Sequence, residues 1–525
     1  MPVISPCSRH QLQFFSLEQF IAQDNEVRVL DAFVDYFDLD ALGFVVKGKS
    51  REGRPAFAAA TLLKLYLYGY LNRVRSSRRL EKAAQTNIEL FWLLQEQKPG
   101  YKTIADFRKD NNKALKNMFR QFNRFLKGED LLQGDLVAVD GSKFGAQNSK
   151  KNNYNKRKVN RHLDYIDRQT EDYLSQLDEL DQAEAAEPQA IYEVSDKLDQ
   201  LSQRKQKYTN LQEELAQARL AGETQISTSD PDARALPKKM NIVEVGYNVQ
   251  TAVESNDYLI TNFEVTNKLD TYALSGMAIE AKKVLEKEQI KVLADKGYDT
   301  GAELKTCATH QIETYVAPRR KNTSKKHPDY TKDKFIYDVE ADHYTCPAGK
   351  QLKSNGNWYK KNDGIHRQSY KVKVYKLPFD QCNGCPFKMD CAGAANLKNS
   401  KGRPIERTEY EAWLEANRER VRFHKDRYRK RQQIVEHPFG TIKQQWGYHY
   451  TLLKGKEKVG GEFALIFTAY NLRRVMSIFG VLDLIERLKK AFEAIWWLRP
   501  TVKALIRKKV CRLSLASPRI TSACA

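Results

Sequence analysis

The chain has 525 residues, too many for one ordinary domain, and 41% of them are apolar, enough for a sizeable core. Lysine and arginine number 88 against 66 acidic residues, a net charge of +22, which favours a polyanionic partner because each neutralised phosphate releases counterions. Residues 1–30 lack the basic segment and apolar core of a secretory signal, and the apolar stretch Phe463 to Ile485 is broken by Asn471, Arg473 and Arg474. A membrane span of roughly 20 residues is therefore not expected, and the eight cysteines are expected to be mostly reduced in an intracellular protein.

Residues 1–130 read as an all-helical N-terminal domain. Val27, Leu30, Val34 and Phe37 recur at helical spacing, and Leu62 to Tyr70 is densely apolar. Ser76 or Ser77 can cap a further helix. A third begins after Thr103 and carries Phe107, Leu115, Phe119, Phe122 and Leu126 on one face. Arginines such as Arg73, Arg78 and Arg79 cluster where these helices join, which suits either a helix-turn-helix-like DNA-binding module or an all-helical packing domain whose arginines are solvated.

Residues 131–160 turn to strand and basic loop. Leu136-Val137-Ala138-Val139 is an apolar run stopped by Asp140 and Gly141. From residue 161 to 222 the pattern is a heptad seam: Leu163, Ile166, Thr170, Tyr173, Leu177 and Leu180, then Val194, Leu198, Leu201, Tyr208, Leu211 and Leu215, with Pro188 between. That predicts an antiparallel coiled helical hairpin, acidic on its first arm, inserted into the rest.

Residues 223–318 give strands at Val243–Val253 and Tyr258–Val265, a helix at Tyr272–Glu286, and a strand ending at Asp295. A helix at Gly301–His310 and a strand at Glu313–Val316 follow. The order is that of a mixed α/β sheet with Asp140 and Asp295 both at carboxyl ends of strands, the edge where open α/β sheets bind ligands. Residues 319–400 are a basic insertion holding Cys346, Cys382, Cys385 and Cys391, a C-x2-C pair and two outliers. Four thiolates suit a tetrahedral structural zinc, with unligated reduced thiols as the alternative. Tyr330, Tyr337, Tyr344, Trp358 and Tyr359 among the lysines suit nucleic-acid stacking. Residues 401–490 open with a long Arg/Lys-rich helix over 403–436 that Pro438 ends or kinks, and 491–525 form a basic tail.

Asp140, Asp295 and Glu436 lie on a strand, a strand and a helix. That is what an RNase H-like core needs to hold two Mg2+ ions, with Mn2+ able to substitute, because phosphodiester cleavage requires both an activated attacking oxygen and a stabilised leaving oxygen. Asp230 and Asp232 are the next carboxylates in line.

The segment GRPAFAAATLLKLYLYGYLNRVRSSRRLEKAAQTNIELFWLL, then TIADFRKDN, VDGSKF, TSDPDAR, GYNVQTAV, ADKGYD and RQQIVEHPFGTIK, resemble successive blocks of bacterial insertion-sequence transposases of the DDE class. The resemblance covers most of the chain. It implies an α/β RNase H-like catalytic core with an all-α N-terminal domain and the two insertions. Asp140, Asp295 and Glu436 match the acids, and Tyr428, Arg431, Glu436 and Lys443 match the signature around the third. Four residues separate Arg431 from Glu436 where the common form has three. The implied activity is cleavage at terminal inverted repeats in double-stranded DNA and transfer of the freed 3′-hydroxyl to target DNA. A homodimer without membrane association, cytoplasmic and nucleoid-associated when bound to DNA, is expected. The alternatives are an inactive or domesticated DNA-binding protein of the same fold and another RNase H-like nuclease.

Overall fold

The computed structural model describes residues 16–45, 55–148, 150–182, 188–220, 222–237, 243–319, 328–362, 369–378, 381–382, 384–392 and 403–493. The basic tail expected over 491–525 falls almost wholly outside them.

Among the described residues, six α-helices come first: α1 (Glu26–Asp35), α2 (Ala59–Leu71), α3 (Ser77–Thr86), α4 (Ile88–Leu93), α5 (Tyr101–Asp110) and α6 (Asn112–Gly128). Asn25 caps α1 by accepting from the Val27 amide, a bond worth about 1 kcal/mol. The single helix expected after Thr103 is two. Asn111 is buried at the joint, where its amide nitrogen donates to the carbonyls of Val45 and Phe107 and its oxygen accepts from the Val45 amide. Those bonds hold Asn111 at φ −107°, ψ 25°, outside the helical basin, and the axis turns there.

Strand β1 (Leu136–Gly145) follows, then the short antiparallel pair β2 (Asn153–Asn155) and β3 (Gln225–Ser227). Between these lies the arm of α7 (Lys156–Gln182) and α8 (Pro188–Leu220). Gln212 donates to Asn160, Tyr208 stacks on His162, Lys205 pairs with Asp167 and Lys197 sits over Tyr173. As one number rises the other falls, so the two helices are antiparallel. Tyr154, Val159, Leu211 and Leu215 form a small core of the arm's own at its base.

The main sheet adds β4 (Arg234–Pro237), β5 (Val243–Glu254), β6 (Ile260–Thr266), β7 (Ile290–Ala294) and β8 (Ile312–Val316) in the order β4-β5-β1-β7-β8, with β6 also on β5. β1 is antiparallel to β5 and β5 to β6, whereas β1, β7 and β8 run parallel. Helices α9 (Leu274–Leu285) and α10 (Gly301–Thr309) make the crossovers β6 to β7 and β7 to β8. The mixed sheet with flanking helices and a helical N-terminal region is thus as expected. Asp140 is not where the sequence placed it. β1 does not stop there: its backbone continues to Gly145, paired residue for residue with β5. Only the pairing to β7 ends at Val139 and Ala294.

After β8 a second, five-stranded antiparallel sheet forms from β9 (Ile336–Asp338), β10 (His343–Thr345), β11 (Gln351–Asn362), β12 (Ser369–Lys376) and β13 (Ile405–Thr408), with the short helix α11 (Lys388–Ala392). Its core is Phe335, Tyr344, Leu352, Tyr375 and Ile405. The long helix expected over 403–436 is β13, then α12 (Glu411–Phe423) and α13 (Lys425–Phe439), broken at His424. Pro438 lies inside the last turn of α13, and a π-helical turn over Gly440–Gln445 follows it. Helix α14 (Lys456–Phe479) is buried along most of its length and bends by 111° at Gly480 into α15 (Val481–Glu493). No single helix among the described residues is long and apolar enough to cross a membrane. One hydrophobic core runs from Ile21 through the main sheet to Leu488, because α14 packs on α2, α5 and α6 as well as on β6.

Candidate active site

The parallel pairing of β1 with β7 brings Asp140 and Asp295 to the same level of two adjacent strands, about 4.8 Å apart in such a sheet. Asp140 Oδ1 accepts from the Gly141 amide at 2.9 Å, and Asp295 Oδ1 from the Gly297 amide at 2.6 Å. A third carboxylate, Asp270, enters from the turn between β6 and α9. Its Oδ1 accepts from Asn248 Nδ2 (2.8 Å) and Gln250 Nε2 (2.7 Å), both on β5. Tyr298, fully buried, donates to Gln250 Oε1 and so orients that amide.

The two glycines beside the aspartates keep this space open. A Cβ on Gly141 would lie 2.5 Å from Asp270 Oδ1 and 2.8 Å from Asn248 Oδ1. One on Gly297 would lie 2.8 Å from Asp295 Oδ1 and 3.4 Å from Asp270 Oδ2. Burial dominates the acidity of Asp140, and neighbouring charge modifies it. Burial pushes its carboxyl up to about 6, the Arg431 guanidinium opposes this, and Asp295 and Asp270 reinforce it. Burial likewise raises the Tyr298 phenol, with Asp270, Asp140 and Asp295 adding to the shift.

Helix α13 lies against β1 and β7 and presents Arg431, whose Nη1 is 3.9 Å from Asp140 Oδ2. The longer spacing to Glu436 therefore does not take Arg431 away from the acids. Tyr428, one turn earlier, is half-buried and hydrogen-bonded to Arg431. Burial raises its phenol, Arg431 lowers it, and Asp295 and Asp140 raise it. Glu436 stands differently. It is exposed and accepts from Gln432 Nε2 at 2.8 Å, about 140° around the helix from Arg431 at 100° per residue. Among the described residues no three His, Cys, Asp or Glu side chains stand in a metal-holding arrangement. Lys443 Nζ donates to the Lys143 carbonyl at 2.7 Å and lies 4.1 Å over the Phe144 ring, on β1 beyond Asp140. Asp230 and Asp232 serve another purpose: they accept from the Gly455 and Lys456 amides at the start of α14.

Arg73, Arg78 and Arg79 are exposed, with Arg78 over the Tyr101 ring. Arg75 between them is buried: it donates to the Tyr450 carbonyl, pairs with Glu462 and stacks on Tyr448, so it ties the helical region to the C-terminal one. Cys346, Cys382, Cys385 and Cys391 line one cavity beside the core of the small sheet, with Tyr330, Phe335, Leu352 and Phe387. Tyr337 and Tyr344, expected to stack on nucleic acid, pack instead against that core. Trp358 and Tyr359 are exposed on β11 among lysines.

Two stretches of the chain match family models of transposases. Residues 345–476 match a transposase DDE domain, and residues 15–110 match a transposase domain of the DUF772 type. The first spans the cysteines, Arg431 and Glu436, and the second spans Arg73, Arg78 and Arg79. Both agree with the resemblance to DDE-class transposases carried by the sequence blocks. No curated protein matches. Among solved structures, a cryo-EM piggyBac transposase synaptic complex with hairpin DNA aligns over 96% of this chain and 88% of that one. The identity is 10% and the TM-score 0.31.

Proposed function

We propose that the chain is a DNA transposase with an RNase H-like core, which cleaves the terminal inverted repeats of an insertion sequence and joins the 3′-hydroxyl to target DNA. The observation that carries this reading is the pairing of Asp140 with Asp295 across parallel strands β1 and β7, in a sheet ordered β6-β5-β1-β7-β8 with only β5 reversed. The order fits the RNase H-like plan, and the two matches to transposase family models support the reading.

The residues fit a divalent cation. Asp140 and Asp295, side by side on β1 and β7, are hard oxygen donors of the kind a divalent cation takes. Two Mg2+ ions, or Mn2+, would be held by Asp140, Asp295 and Glu436, and would supply Lewis-acid stabilisation of the attacking and leaving oxygens. Glu436 would join them only by a movement of α13, since it now stands on the exposed side of that helix beside Gln432. Arg431 neutralises part of the Asp140 charge and, with Tyr428, fixes the helix face that meets the scissile phosphate. Lys443, exposed Arg73, Arg78 and Arg79, and the Trp358–Tyr359 stretch of β11 contact the DNA backbone and bases. A homodimer pairs the two ends. A structural zinc at the four cysteines belongs to the same proposal.

The test is a strand-transfer assay with cognate ends and Mg2+. Asp140→Ala, Asp295→Ala and Glu436→Gln should each abolish cleavage and leave DNA binding intact. Cleavage surviving in all three sinks the assignment. The exposed position of Glu436 favours a second reading, a DNA-binding protein of this fold without the reaction, for which the wild type would bind ends and cut nothing.

A further inference from the structure

We propose that Asp270 is a further carboxylate ligand of the divalent-cation site, alongside Asp140 and Asp295. The inference rests on the metal-dependent reading above and names a residue outside its three acids.

Two amides fix the Asp270 carboxylate by one oxygen. Asn248 and Gln250 both donate to Oδ1, and Tyr298 holds Gln250 in the orientation that turns its NH2 toward Asp270. Oδ2 is left facing Gly297, in the space that Asp295 Oδ1 also borders. A turn-forming aspartate needs no such placement. Its backbone carbonyl already accepts from Ala273, and a second carboxylate bordering the same space as Asp295 adds negative charge there that a cation would offset.

An independent observation points the same way. Asn248 is fully buried, yet its Oδ1 has no hydrogen-bond partner. It stands beside Asp270 Oδ1, both within 2.8 Å of the point a Gly141 side chain would occupy. An unfilled carbonyl-type acceptor beside the Asp270 carboxylate is an oxygen pair short of a positive charge, which a hard divalent cation or its bound water supplies.

The experiment uses the full chain and Mn2+ as the probe, with Asp270→Asn and Asp140→Asn beside the wild type. Mn2+ binding is read by electron paramagnetic resonance, and thermal unfolding is followed in EDTA and in Mn2+. Asp270→Asn can still accept through its carbonyl oxygen from Asn248 and Gln250. It should unfold in EDTA at or above the wild-type temperature, because a repulsive charge is gone. Its Mn2+ affinity should fall about tenfold or more, and Mn2+ should stabilise it less. Wild-type Mn2+ affinity in Asp270→Asn, with the loss confined to Asp140→Asn, overturns the role of Asp270 and leaves the metal site standing. No Mn2+ uptake by the wild type, or full uptake by Asp140→Asn, overturns the site and Asp270 with it.

Discussion

The main sheet and the five-stranded sheet solve the problem of holding reactive side chains in opposite ways. The main sheet is packed by helices and shares one core from Ile21 to Leu488, with Val137, Ala138, Val139, Val292, Leu293 and Ala294 all fully buried. Carboxylates placed at its β1–β7 edge stay together although they repel, because strand register and packing hold them there. The small sheet gathers a core cluster of just Phe335, Tyr344, Leu352, Tyr375 and Ile405 among the described residues, and most of β11 stands in solvent. So few buried side chains give little stabilisation, and small units of this kind gain it from a metal or cross-link. Repulsive chemistry sits where the scaffold is strong, and thiols that could gather an ion sit where it is weak.

Four measurements would break or sharpen that contrast. The largest effect is expected from Asp140→Asn or Asp295→Asn, which should lower strand transfer by about a thousandfold or more while the melting temperature holds or rises, as the strong scaffold predicts. Next, Cys382→Ser with Cys385→Ser, or exhaustive zinc chelation, should open residues 328–408 to limited proteolysis and leave the main sheet protected. Equal loss in both regions would end the contrast, and absence of zinc from chain purified without chelator would remove its cause. Gly141→Ala should destabilise by about 2 kcal/mol through the clash with Gln250, Asp270 and Asn248, read by denaturant unfolding.

The smallest effect is in pH. The folded Asp140 carboxyl titrates near 6, above an unfolded value of about 4, so the native state binds more protons between those limits. Metal-free stability should therefore fall as pH rises from about 4 to about 6, and Asp140→Asn should flatten that slope. Mn2+ affinity should climb over the same window as Asp140 ionises. Arg431→Ala, which removes the opposing charge, should move the midpoint upward.

Much of the site's placement was legible because apolar runs announce strands. Leu136–Val139 and Val292–Ala294 read as neighbours in a sheet, and their acids follow directly. The continuation of β1 to Gly145 was not legible, since Asp-Gly reads as a turn until β5 is known to pair across it. Asp270 was missed because Lys268-Leu269-Asp270-Thr271 belongs to no apolar pattern. The available signal was indirect: glycine next to Asp140, and glycine two residues after Asp295, where a third carboxylate must fit. The small sheet was read as a basic insertion although Tyr370-Lys371-Val372-Lys373-Val374 alternates as a strand does. Lysine density masked the period. Glu436 was found by its block and not by geometry, and its outward position on α13 follows from the register of a helix whose buried face is set by Ile434, Val435 and Pro438.

The α7–α8 arm bears on how the chain folds as well as on what it carries. Gly145 and Gly246 must meet for β1 to zip onto β5, yet the arm separates them. The arm is a local structure able to form early, and when it closes, β2 meets β3 at its base. The loop left to close then shrinks from roughly a hundred residues to about thirty, which lowers the closure entropy by about 1 kcal/mol. A truncation that deletes the arm and rejoins β2 to β3 by a short turn should thus refold at least as fast as the intact chain, whereas cutting the arm open at its tip should slow the pairing that assembles Asp140 with its partners.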